Sequence, residues 1–168
     1  EELRFNVNYL GGQMPTIGMN FSRPGAQIVA QYFNFIHLGH RGYCQRMASL
    51  ESTAIYIADS INAMAPMKLL SHPKGQLPVF AVTLEESVDN WTVFQLSDRL
   101  RARGWQVPAY TMPADCEDLA VLRFVIRAGF TRDMADLLIQ DVQNAVEWFE
   151  KLESPMPDPN REHQPFHH

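Results

Sequence analysis

Two short stretches hold the residues best suited to chemistry. In NFSRPG (20–25) a hydroxyl, Ser22, and a guanidinium, Arg23, stand just before a proline-led helix start. A helix N-terminus presents N–H groups and the positive end of a dipole, so this combination suits a bound anion such as phosphate. Serine in that place also serves as an ordinary helix cap, and the pattern leaves both roles open. In AVLRFV (120–125) Arg123 stands in the middle of an apolar run. A guanidinium there needs an anionic partner. That partner is either a carboxylate of the same fold, as a structural ion pair, or a ligand carboxylate gripped at two points by the planar fork. Arg127, nearer the end of the run, reads as a solvated charge.

Other signals are weak. LGG (10–12) is an ordinary turn pattern, without the spacing of a dinucleotide or P-loop motif. No spacing suggests a nucleophile with its base. Lys68, Lys74 and Lys151 fall in a strand, a turn and a helix end. Of six histidines, His163, His167 and His168 lie in SPMPDPNREHQPFHH (154–168), with four prolines and almost no aliphatic residue. Such a tail should be extended and poorly anchored, so no pre-organised metal site is expected there. The closing His-His also fits the start of a purification tag.

The bulk composition bounds the class. At 168 residues, 46% of them hydrophobic and 20% charged, the chain suits one domain with a real core. A formal charge of -5 argues against a nucleic-acid surface, which needs a concentrated basic face. No apolar run reaches the roughly 18–20 residues of a membrane span. The opening EELRF carries no signal pattern and no Met, which suggests a fragment. Cys44 and Cys116 are far apart and read as free thiols of a reducing, cytoplasmic compartment.

Positioning these residues takes an α+β chain. Residues 1–21 read as irregular. A helical pattern starts at Ser22, with Ile28, Tyr32, Phe35 and Ile36 on one face, interrupted at Gly39 and Gly42. A second helix is expected from about Tyr43 to Met64, striped by Met47, Leu50, Ala54, Ile57 and Ile61. Strands are expected at 67–71 and 78–84, then a helix over 92–103 capped by Asp89 or Asn90 and stopped by Gly104. A short edge strand at 106–112, demoted by Pro108, precedes the clearest strand, 119–127. There Leu122, Phe124 and Ile126 share one face, and Val121, Arg123, Val125 and Arg127 the other. Thr131 then caps a helix to about Leu152, burying Met134, Leu138, Val142, Ala145, Phe149 and Leu152. This order suits a largely antiparallel sheet with helices on one face.

The blocks FNVNYLGGQMPTIGMNFSRPGAQIVAQYF (5–33), LSDRLRARGWQVPAYTMP (96–113) and LAVLRFVIRAGFTRDMADLLIQD (119–141) resemble the C-terminal part of bacterial glutamate decarboxylase. The resemblance implies the small C-terminal domain of a fold-type-I pyridoxal-phosphate enzyme. Residues 1–22 would lead in from the large domain, 23–152 form the small domain, and 153–168 a flexible tail. It implies conversion of L-glutamate to 4-aminobutyrate and CO2 in a cytoplasmic homo-oligomer linked to acid resistance. The partners implied are the large cofactor-binding domain and a neighbouring subunit.

Carried over by position, the likeness assigns Ser22 to the cofactor phosphate of the neighbouring subunit, and Phe21 to the same cleft. It assigns Arg123 to a substrate carboxylate, and His168, with His167, to a tail that closes the active site near neutral pH. One element is missing. The family's Schiff-base lysine follows a histidine, and none of the three lysines here does. The chain by itself is therefore expected to be inactive, with no catalytic residue of its own and no covalently bound pyridoxal 5'-phosphate. The rival reading is a stand-alone regulatory or assembly module whose uncovered sheet face binds a small molecule or a partner.

Overall fold

The computed structural model describes residues 4–9, 12–17, 21–113, 115–152 and 154–155. In chain order they form β1 (Arg4–Tyr9), β2 (Gly12–Ile17), α1 (Ala26–Asn62), β3 (Met67–Ser71), β4 (Val79–Leu84), α2 (Val93–Ala102), β5 (Ala109–Thr111), β6 (Ala120–Val125) and α3 (Arg132–Glu150). Strands β3 to β6 make an antiparallel sheet in the order β3-β4-β6-β5. The C-terminal half of α1 and α2 pack on it, and α3 packs on both helices. The architecture is α+β, as the alternation and spacing require.

The two-residue period of β6 explains this layering. Leu122, Phe124 and Ile126 are buried in the helix-covered core, whereas Arg123 is half-buried and Val125 exposed on the other side. Phe80 of β4 stands opposite Phe124, with the rings stacked at 4.9 Å. Ala81 consequently stands opposite Arg123. β5 lies at the edge. Pro108, just before it, has no N–H to give, yet its carbonyl still accepts the N–H of Arg123 at 3.0 Å.

The helix ends follow local chemistry. Thr131 Oγ1 accepts the Met134 N–H at 3.3 Å, and Asp133 lies in the first turn of α3, favourable to the dipole. Gly104 adopts φ 93° just past α2, which suits its lack of a Cβ. At the start of α2 the cap is Thr92, not Asp89 or Asn90: Gln95 Oε1 accepts the Thr92 N–H at 2.9 Å, the returning half of a capping box. Met134 is 37% exposed, so the buried stripe of α3 runs through Ala135 and Leu138 instead.

Two further differences concern the first third of the chain. Where an irregular lead-in was expected, β1 and β2 form an antiparallel pair, with Arg4 opposite Ile17 and Tyr9 opposite Gly12. Pro15 is compatible because each strand of a two-stranded ribbon is an edge. In α1 the break falls at Gly39, at φ 56° and ψ -175°, and the helix resumes without a second interruption at Gly42. Only the part after this kink is buried, through Ala54, Ile57, Ala58 and Ile61. Before it, Ile28, Tyr32, Phe35 and Ile36 are 54–71% exposed.

Side-chain bridges lock the helices together. Asp141 of α3, whose side chain is 13% exposed, accepts the Trp105 Nε1–H at 2.8 Å and the Arg103 Nε–H at 3.0 Å. Tyr56 of α1 donates its hydroxyl to Asp136 of α3 at 2.6 Å, under the Arg132 guanidinium. The hydrogen bond to Asp136, with burial and the same carboxylate's charge, raises Tyr56 above its ordinary 10.0, against the lowering effect of Arg132.

Two consequences are measurable. Asp141→Ala removes a charged acceptor from two donors and should destabilise the chain by about 1.5–3 kcal/mol. A parental denaturant midpoint would show that these bonds are not maintained in solution. Neutral Tyr56 is the bonded form, so its contribution is complete below the unfolded-state value and fades as pH rises through the higher folded-state value. Tyr56→Phe should therefore be less stable than the parent at neutral pH, with the gap closing in strong alkali. A gap of constant size from pH ~7 to ~11 would contradict this.

Candidate functional site

β5 is three residues long, so β6 runs on beyond it. Between the 104–108 connection and residues 123–130 the sheet edge opens into a cavity of about 730 Å³. Its lining includes Trp105, Pro108, Arg123, Arg127, Phe130 and Met134. The Asp141 bond anchors Trp105, whose ring tilts against Phe130 at a centroid distance of 6.0 Å. One wall is thus apolar and held in place, and the other carries guanidinium groups.

Arg123 occupies this edge for reasons of strand geometry. Its neighbours across the sheet are Ala81 on β4 and the Pro108 carbonyl on the other side. Its Nε is buried, and Cζ lies 5.6 Å from the centre of the Tyr110 ring. Arg127 is exposed. A planar cation set in a low-dielectric recess and open to a cavity is suited to a carboxylate.

Phe21 and Ser22 lie elsewhere. Both are exposed, just ahead of α1, and neither lines the Arg123 cavity. The helix N-cap is Gly25, so Ser22 is not the cap that the sequence left open as one of its roles. Lys68, Lys74 and Lys151 are exposed. His163, His167 and His168 lie outside the described residues. Among the described residues, no group of three or more His, Cys, Asp or Glu side chains could hold a metal ion. None of their helices is long and apolar enough to cross a membrane. Cys44 and Cys116 are free thiols, exposed at the surface.

The sequence singled out Arg123 but passed over Tyr110. Its proximity to Arg123 depends on the pairing of β5 with β6, which places Tyr110 opposite Val121. The pattern of either strand alone does not carry that register.

No family model matches the chain. It is 49% identical over 152 residues to a glutamate decarboxylase of Aliivibrio fischeri, a match covering 90% of this chain and 33% of that protein. The solved glutamate decarboxylase of Lactobacillus brevis superposes with a TM-score of 0.74 at 37% identity, over 90% of this chain and 34% of that one. The tryptophan decarboxylase of Catharanthus roseus shares the fold, with a TM-score of 0.60 at 11% identity over 71% of this chain and 25% of that one. The chain spans about a third of the length of the curated relatives it matches.

Proposed function

The chain is a homologue of glutamate decarboxylase with the α+β fold of the C-terminal portion of fold-type-I pyridoxal-phosphate decarboxylases, and from this premise we propose that it works as that portion of a longer enzyme converting L-glutamate to 4-aminobutyrate and CO2. The observation that carries this reading is 49% identity sustained over 152 residues, far more than a shared motif. On this reading residues 1–22 lead in from the large domain, 23–152 form the small domain and 153–168 the tail. The partners are the large domain and a neighbouring subunit.

The residues present fit the edge of the cofactor's site rather than its centre. None of the three exposed lysines follows a histidine, so the lysine that would hold the cofactor covalently belongs to the part of the relatives that this chain does not span. Ser22 fits the phosphate: its hydroxyl is exposed, is not occupied as a helix cap, and precedes the N–H groups of a helix start. Phe21 beside it supplies an apolar wall to the same cleft. The cofactor, when bound, supplies an electron sink for the carbanion left by the departing carboxylate.

Arg123 supplies the substrate grip. Two parallel N–H bonds from a guanidinium define the plane of one glutamate carboxylate, and so the direction of the bond to be broken. The stand-alone module is the weaker reading. Every described residue from 21 to 37 is exposed, including seven-residue spacing of large apolar side chains at Ile28 and Phe35. A continuous apolar helix face of that kind marks an interaction surface rather than a finished exterior.

Two experiments on the full-length enzyme address the sites. Arg123→Lys keeps the charge and loses the fork, so kcat/KM should fall more than about tenfold, or ~1.4 kcal/mol. In parallel, Ser22→Ala should release the cofactor faster on dialysis. Parental efficiency in the first would reassign Arg123 to structure, and parental retention in the second would remove Ser22 from the phosphate site. The tail carries the pH dependence on this reading, because it holds His167 and His168, and histidine is the side-chain type suited to a charge switch around neutral pH. Removing the residues after Leu152 should raise activity near neutral pH. Activity unchanged above pH ~6 would reject tail gating.

A further inference from the structure

We infer that Tyr110 is a positioning residue, holding the Arg123 guanidinium ready for the substrate carboxylate; this rests on the role of Arg123 proposed above. Tyr110 stands opposite Val121 in the antiparallel pairing of β5 with β6. Directly paired residues point to the same face, and Arg123, two residues beyond Val121, shares it. Tyr110 and Arg123 are therefore diagonal neighbours, a relation that an aromatic ring and a long side chain can span. The 5.6 Å from Cζ to the ring centre lies within the range of cation–π attraction.

The rest of the edge strengthens the coupling. Val121, lying between the two on that face, is fully buried. The carbonyl of Pro108, two residues before Tyr110, accepts the Arg123 N–H at 3.0 Å. One short strand thus tethers both the backbone of Arg123 and the ring beside its guanidinium. Arginine loses much rotamer freedom when it grips a ligand. A guanidinium already held against a ring loses less on binding, and its fork is aimed in advance. The ring face does this work, so the Tyr110 hydroxyl is dispensable.

The test uses the full-length enzyme, the calorimetric dissociation constant of glutarate (a dicarboxylate with no amino group to react), and KM and kcat with glutamate. Tyr110→Phe should match the parent. Tyr110→Leu should weaken glutarate and raise KM by about three- to tenfold, with a smaller change in kcat. In an Arg123→Ala background, Tyr110→Leu should weaken glutarate no further. If Tyr110→Leu fails to assemble, Tyr110→Ile, a better strand former, takes its place with the same expectation. Parental glutarate binding in the Leu or Ile variant, while Arg123→Ala weakens it, overturns the role of Tyr110 and leaves that of Arg123. Equal losses in the Phe and Leu variants, or additive losses with Arg123→Ala, also overturn it. Parental binding in Arg123→Ala overturns the reading of Arg123 itself.

Discussion

The opposition of Phe80 and Phe124 decides what the remainder of the chain can do. Their stacked rings belong to the layer between sheet and helices, and the two-residue period then places Ala81 and Arg123 on the far side. A slip of one residue would exchange the faces, sending a guanidinium into the apolar core and an aromatic ring out of it. Burying a charge without a partner is strongly unfavourable, and exposing a phenylalanine forfeits about 1.5–3 kcal/mol of burial. Both effects select the same register. The sheet becomes two-sided, with the apolar core on the helix side and the Arg123 guanidinium on the other.

The same period made much of the fold legible from sequence. Alternation located β6 and the two faces of 121–127, Pro108 marked the edge, and Thr131 with Asp133 marked the start of α3. What escaped reading depends on comparison between segments. Asp89 and Asn90 are better cap formers than Thr92 in isolation, but Gln95 at the third helical position gives Thr92 a reciprocal bond. Gly and Pro in the first 17 residues look irregular until the two strands lie side by side, where Pro15 is tolerated. For the site, local pattern left Arg123 poised between ion pair and ligand grip. Resemblance, not spacing, tipped that balance, and Tyr110 stayed hidden because its register with Val121 is a tertiary fact.

The helical stripe of α1 shows another boundary of sequence reading. The spacing of Ile28, Tyr32, Phe35 and Ile36 names an apolar face correctly, yet amphipathicity is silent on what covers it. Past Gly39 the cover comes from within, as Ala54, Ile57 and Ile61 join the core. Ahead of Gly39 none of the chain's described core reaches the helix. On the proposed reading the remaining two thirds of the enzyme meet that face, and the kink separates a segment stabilised by this domain from one stabilised by its neighbours. Ser22 and Phe21, both exposed, stand at the outer end of that second segment, just ahead of α1.

Division of the site between elements also accounts for the choice of arginine. A lysine at position 123 could offer charge, but a rotating ammonium defines no plane. The guanidinium fork does, and the structure surrounds it with features that limit its motion: the β6 backbone, the Pro108 carbonyl bond, and the ring of Tyr110. On the proposed reading, the cavity that Arg123 lines between the 104–108 connection and residues 123–130 is the space in which the fork meets a ligand. Orientation supplied this way needs no reactive group on the same chain. On the proposed reading, a domain without the covalent lysine governs which bond of a bound amino acid faces the electron sink, provided that its sheet edge is rigid and the Arg123 guanidinium is aimed before the substrate arrives.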